Sequence, residues 1–180
     1  MDTLGDTFPK YSVIPHLYSD AGIITDPYKC FETIHGVYSL MQYRYKMSAE
    51  ERAKQISIVV ILDEWAALYG SLEKDEANEF NKILALLLAQ ARKAKIYLIF
   101  ATQHPKSENL GRKFSNFNAQ LCFKTDDYHD SMAIIGVGGA RHLTKPGHAL
   151  YRRISGKIIQ MQCCNINDRN DEIENFLIVF

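Results

Sequence analysis

The chain has 180 residues, enough for one domain and short for two. Apolar residues make up 47% and charged residues 23%, which excludes a disordered chain. The 21 Lys+Arg balance 21 Asp+Glu, so bulk charge makes no case for nucleic acid, an acidic partner or a membrane surface, and only local patches stay open.

The opening MDTLGDTFPKY is polar and acidic and does not read as a signal peptide. Residues 27–46 read as a helix, with Pro27 near its first turn and Phe31, Ile34, Val37, Tyr38 and Met41 on one apolar stripe. Residues 56–62, ISIVVIL, form a continuous β-branched run, the pattern of a strand covered on both faces. Residues 74–93 place Phe80, Ile83, Leu84, Leu87, Leu88 and Ala91 at helical spacing, and IYLIFAT (96–102) is a second buried strand. QLCFKT (120–125) is a third strand. Asp130 fits the N-cap of a short helix through Ile135, and GVGGA (136–140) must turn or stop it. HALYRR (148–153) and KIIQMQ (157–162) read as a hairpin or meander, and Asp168 or Asp171 could cap a final helix. Together these predict an α/β sheet of about five strands with an antiparallel pair at one edge.

No apolar run reaches the roughly 18 residues of a membrane span, so a soluble, cytoplasmic domain is expected. Cys30, Cys122, Cys163 and Cys164 form neither a CxxC nor a Cys/His cluster, and buried free thiols are the expectation. Asp126, Asp127, His129 and Asp130 lack an ordered metal-ligand spacing. No GxSxG or other nucleophile motif accompanies the histidines.

The sharpest chemical signal is IVVILDEWAAL. A buried strand ending in Asp63 and Glu64 delivers two carboxylates to the carboxyl edge of a sheet, where open α/β folds bind ligands. In nucleotide hydrolases the first acid organises Mg²⁺ and the second polarises the attacking water. An Asp-Glu pair that merely caps the next helix is the competing reading. The second apolar run ends in Thr102, Gln103 and His104, polar residues placed to sense a γ-phosphate, or simply a loop before Pro105.

These segments resemble the motor domain of FtsK/SpoIIIE-type DNA translocases. The likeness runs through IPHL and TD (Ile14–Leu17, Thr25–Asp26), MQYRY (Met41–Tyr45), VVILDEWAAL (Val59–Leu68), AQARKAKIYLIFATQHP (Ala89–Pro105), FKTDDYHDS (Phe123–Ser131) and GGARHLTKPGHALY (Gly138–Tyr151). The resemblance implies a mainly parallel RecA-like P-loop sheet flanked by helices. Asp63 and Glu64 fall on the Walker B pair, Gln103 on the polar sensor, with Thr102 beside it as a nucleotide contact. Arg92 falls on the arginine finger that reaches into a neighbouring subunit. By composition alone, Arg92 would be a solvated helix end favoured by the macrodipole. ATP and Mg²⁺, double-stranded DNA and a homo-oligomeric ring, expected to be a hexamer, are the cofactors and partners so implied. Membrane attachment would need a segment outside these residues.

The departures are specific. GxxxxGK[ST] is absent from the 180 residues, so the first βα unit carrying Walker A is expected to be missing and nucleotide binding weak. Tyr128 and Met132 stand where the family carries pore-facing cations, and Ala119-Gln120 replaces its Thr-Arg. A single partial motor domain spanning 1–180, inactive alone, is the resulting expectation. A non-catalytic remnant, or a fragment of a type VII-like secretion ATPase that moves protein, are the alternatives.

Overall fold

The computed structural model describes residues 1–2, 23–103 and 117–164. They fall into two compact units, Met1–Gln103 and His104–Phe180.

The first unit opens with α1 (Pro27–Tyr45). The Asp26 carboxylate accepts from the Lys29 N–H at 2.8 Å, and Pro27 occupies the first helical position, where its missing N–H costs nothing. Cys30, Phe31, Ile34 and Met41 bury the expected stripe, and Arg44 continues it. A short α2 (Ala49–Lys54) follows, closed by a reciprocal capping box between Ser48 and Glu51. Sequence patterning did not isolate this helix, although S-x-x-E is its signature. β1 (Ile58–Leu62) leads through α3 (Trp65–Ser71) into α4 (Lys74–Gln90). α4 buries Phe80, Ile83, Leu84 and Leu87 and packs against α1. It stops three residues before the expected end. Ala91–Ala94 tighten into a 3-10 turn, and Lys95 at φ 57° reverses the chain into β2 (Ile96–Phe100).

β1 and β2 are parallel, with Ile58 opposite Ile96 and Leu62 opposite Phe100. Both were expected to be covered on both faces. Val60 and Leu62 are buried, but Val59 (54%), Ile61 (43%), Tyr97 (43%) and Ile99 (53%) stay exposed on the alternate positions. An apolar run reports what a strand can bury, and here one face is packed. On the edge of β1 away from β2, the Met1 amine donates to the Ile61 carbonyl at 2.9 Å and the Asp63 N–H donates to the Met1 carbonyl at 3.1 Å. Asp2 thus pairs in parallel with Asp63 and is itself buried.

The second unit is an antiparallel sheet in the order β3 (Ala119–Phe123), β4 (His148–Arg153), β5 (Ile158–Gln162). Cys122 lies opposite Leu150, which lies opposite Gln160. The hairpin between β4 and β5 forms as expected, with Gly156 at φ 79° in its turn. The third strand, however, joins this hairpin, so among the described residues the antiparallel sheet has three strands and the parallel sheet has two. α5 (Tyr128–Ile135) covers the antiparallel sheet through a core of Cys122, Ile135, Ala140 and Leu143, with Leu150 and Ile158 packed on it. Its cap is Asp127, whose carboxylate accepts from the His129 N–H at 2.9 Å, and Asp130 lies in the first turn instead. Gly136 at φ 75° ends α5, and residues Gly138–His142 form a 3-10 turn. Gly138 lies directly against the Tyr128 ring, where an added Cβ would force that ring to move. Buried Ser131 pins the turn by donating to the Val137 carbonyl and accepting from the Ala140 N–H at 3.1 Å.

Cys30 and Cys122 are buried as expected, whereas Cys163 is half-buried and Cys164 exposed, because β5 ends before them. No helix among the described residues is long and apolar enough to cross a membrane. The IPHL segment, His104 and the expected final helix lie outside the described residues.

Candidate functional site

Parallel pairing brings the carboxyl ends of β1 and β2 side by side. The Ala101 N–H donates to the Leu62 carbonyl at 3.0 Å, one residue before Asp63 and one before Thr102. Asp63, Glu64, Thr102 and Gln103 therefore share one end of one sheet.

Glu64 is the organising residue. Its carboxylate accepts from the Thr102 hydroxyl at 2.7 Å and from the Gln103 backbone N–H at 2.8 Å, one partner on each oxygen. The residue is buried, at 8% exposure. Its backbone stands in the left-handed region, φ 46° and ψ 61°, unusual for a non-glycine side chain and costing about 1 kcal/mol. Glu64 occupies the N-cap position of α3 but makes no side-chain capping bond to it. The left-handed turn instead aims its carboxylate across to the tip of β2. The helix-capping reading of the acid pair therefore does not describe Glu64.

Asp63 is half-buried, and its Oδ1 accepts from the Glu64 N–H at 3.1 Å. Two consecutive carboxylates, a hydroxyl and an amide thus converge on one sheet end. Thr102, expected as a nucleotide contact, donates its hydroxyl to Glu64 at this strand end. Gln103 touches Glu64 through its backbone, while the residue itself is exposed. The hydroxyl and the amide, one on each oxygen, fix the orientation of the Glu64 carboxylate.

Arg92 sits in the 3-10 turn after α4 and is exposed. Two neighbours missed by sequence patterning hold that turn. The Arg44 guanidinium donates to the Ala94 carbonyl at 2.8 Å, and the Tyr45 hydroxyl donates to the Gln90 carbonyl at 2.9 Å. The available signal was Arg44 itself, three residues beyond Met41 on the buried stripe of α1.

On the other unit, Tyr128 and Met132 are both exposed on α5. The Arg141 guanidinium lies over the Tyr128 ring, 5.7 Å from its centroid.

The fold is shared with two solved ATPase structures of low sequence identity. The pCW3 conjugation coupling protein TcpA, solved in a monomer form with ATPγS, superposes with TM-score 0.72 at 19% identity, over 87% of this chain and 49% of that one. The cytoplasmic domain of the type VII secretion ATPase EccC from Thermomonospora curvata gives 0.60 at 16% identity, over 79% of this chain and 19% of that one. In sequence, the chain is a relative of the FtsK/SpoIIIE DNA translocases. It is 30% identical to the DNA translocase SpoIIIE of Bacillus subtilis over 91% of its own length, and 30% identical to the DNA translocase FtsK of Staphylococcus epidermidis over 78%. It spans 23% and 20% of those two proteins, less than a quarter of either. No protein-family model matches the chain.

Proposed function

We propose that this chain belongs to an ATP-dependent motor that moves double-stranded DNA, contributing the acid pair and sensor end of one nucleotide site, and that its two units belong to one motor domain. The observation that carries this reading is the Glu64 carboxylate held by Thr102 and the Gln103 amide at adjacent strand ends.

Mg²⁺, when bound with ATP, neutralises charge on the transferred phosphoryl group. Asp63 fits its water-mediated coordination, as a half-buried carboxylate at the strand's end. Glu64, fixed by two hydrogen bonds, accepts the proton of the attacking water. The Gln103 side chain orients that water. Arg92 acts across a subunit boundary in a ring, neutralising charge on a neighbour's phosphoryl group. The residues do not fit complete nucleotide binding by themselves. The amide cradle and lysine of GxxxxGK[ST] are absent from these 180 residues. That sequence observation favours a second reading for the chain in isolation, a module that keeps the fold without turnover.

The test is to tag the chain in its native cells, purify the assembly that contains it, and measure duplex-stimulated ATP hydrolysis. The motor reading expects turnover that Glu64→Gln abolishes while nucleotide binding survives. An assembly without turnover, or one indifferent to Glu64→Gln, overturns it.

A further inference from the structure

We propose that Arg44, assisted by Tyr45, is a positioning residue for Arg92, and that the end of α1 is built to hold the Arg92 turn in one conformation.

Arg44 and Tyr45 are consecutive, and they grip carbonyls on opposite sides of Arg92. Arg44 takes Ala94, two residues after it, and Tyr45 takes Gln90, two residues before it. The turn is tied from a third side by Lys95, whose ammonium donates to the Ala53 carbonyl at 2.9 Å. The Arg52 guanidinium lies over the Tyr45 ring, 5.3 Å from its centroid, and props that side chain. Arg92 itself is exposed. The arrangement fixes the backbone on both sides of a cation and leaves its side chain to reach outward.

Packing alone does not account for Arg44. It is 3% exposed on a stripe otherwise made of Cys30, Phe31, Ile34 and Met41, and its Nε has no hydrogen-bond partner. Burying a guanidinium in this way is no better for stability than an apolar side chain of similar volume. What an apolar residue lacks is the directional hydrogen bond to Ala94. A 3-10 turn of four residues has few internal bonds of its own, so an external grip decides how far it wanders. This inference rests on the role proposed above for Arg92.

The primary experiment uses the purified 180-residue protein and limited trypsin digestion, reading the rate of cleavage at the bond after Arg92. Arg44→Met is expected to raise that rate ~10-fold, the loss of one charge-assisted hydrogen bond, with the thermal midpoint close to wild type. Arg44→Lys, which keeps a donor, is expected to return the rate to within ~3-fold of wild type. Tyr45→Phe, a milder change that spares the fold, is expected to raise it ~3-fold. Unchanged cleavage in both Arg44→Met and Tyr45→Phe overturns the proposal. So does acceleration spread evenly over all trypsin sites with a fallen midpoint, which is the mark of a purely structural arginine. In the native assembly, Arg44→Met should lower kcat with KM unchanged, and Arg44→Lys should restore it. An unchanged kcat there overturns the positioning role. Full turnover in Arg92→Ala is a separate result that refutes the finger and leaves the trypsin readout of the grip intact.

Discussion

Removing the Thr102 hydroxyl tests whether the Glu64 geometry is a built feature of the fold. Thr102→Val keeps the branched shape and deletes the donor at 2.7 Å from Glu64 Oε1. A hydrogen bond to a charged acceptor is worth ~1.5–3 kcal/mol, and Glu64 is too buried for water to replace the donor freely. With m about 1–3 kcal/mol/M, the urea midpoint should fall by roughly 1 M. Thr102→Ser, which keeps the hydroxyl, should lose much less. The pairwise share comes from a double-mutant cycle with Glu64→Ala, measured by urea denaturation of the 180-residue protein. The structure calls for a coupling of ~1.5–3 kcal/mol, since each single change removes the same bond. A coupling below ~0.5 kcal/mol would mean that the two groups act independently. The carboxylate would then not be held as described, and its placement toward a lytic water would lose its support.

In the native assembly, Arg92→Ala should abolish turnover with nucleotide binding preserved, and mixing it with Glu64→Gln subunits should restore some activity; co-assembled rings without rescue would refute the trans role. The purified chain should bind duplex DNA weakly and with steep salt dependence, at or beyond the weak end of ~10⁻⁴ to 10⁻⁶ M, because Tyr128 and Met132 stand where the resemblance places cations. Salt-resistant, sub-micromolar binding in a titration would contradict this. Gly138→Ala should destabilise by ~1–3 kcal/mol through collision with the Tyr128 ring, and that penalty should largely vanish in a Tyr128→Ala background, as thermal melts of the four proteins would show. Burial pushes the Cys30 and Cys122 thiols up from 9.0 to about 11. A folded-state pKa raised in this way contributes stability fully below pH 9.0 and loses it as pH rises toward about 11. The thermal midpoint should therefore drop across that window. A thiol reagent at pH 8 should meet Cys163 and Cys164 quickly and the other two only on unfolding, and four equal rates would refute the burial.

Local pattern is legible in sequence because its causes are local. Pro27 after a capping Asp26, the alternation of apolar runs with helical stripes, and the glycine after Ile135 act within a few residues of themselves. The order Asp63-Glu64 after one apolar run and Thr102-Gln103 after the next was likewise readable, and it placed the candidate site at two strand ends. Tertiary structure decided what depends on partners distant in the chain. Cys122 on β3 faces Leu150 of the following hairpin, a pairing no window around 119–123 contains. Val59 and Ile61 are as apolar as Val60 and Leu62, and only packing separates the exposed pair from the buried one. Sequence offered Glu64 as a general base or a helix cap with equal ease. A left-handed φ of 46° and two donors nearly forty residues away set where its carboxylate points. No sequence pattern singled out Arg44, and only the fold brought the Ala94 carbonyl, fifty residues later, to its guanidinium. A hydrogen bond is short and directional, so its partner is fixed by where the folded backbone brings the chain back, which nearest-neighbour pattern does not encode.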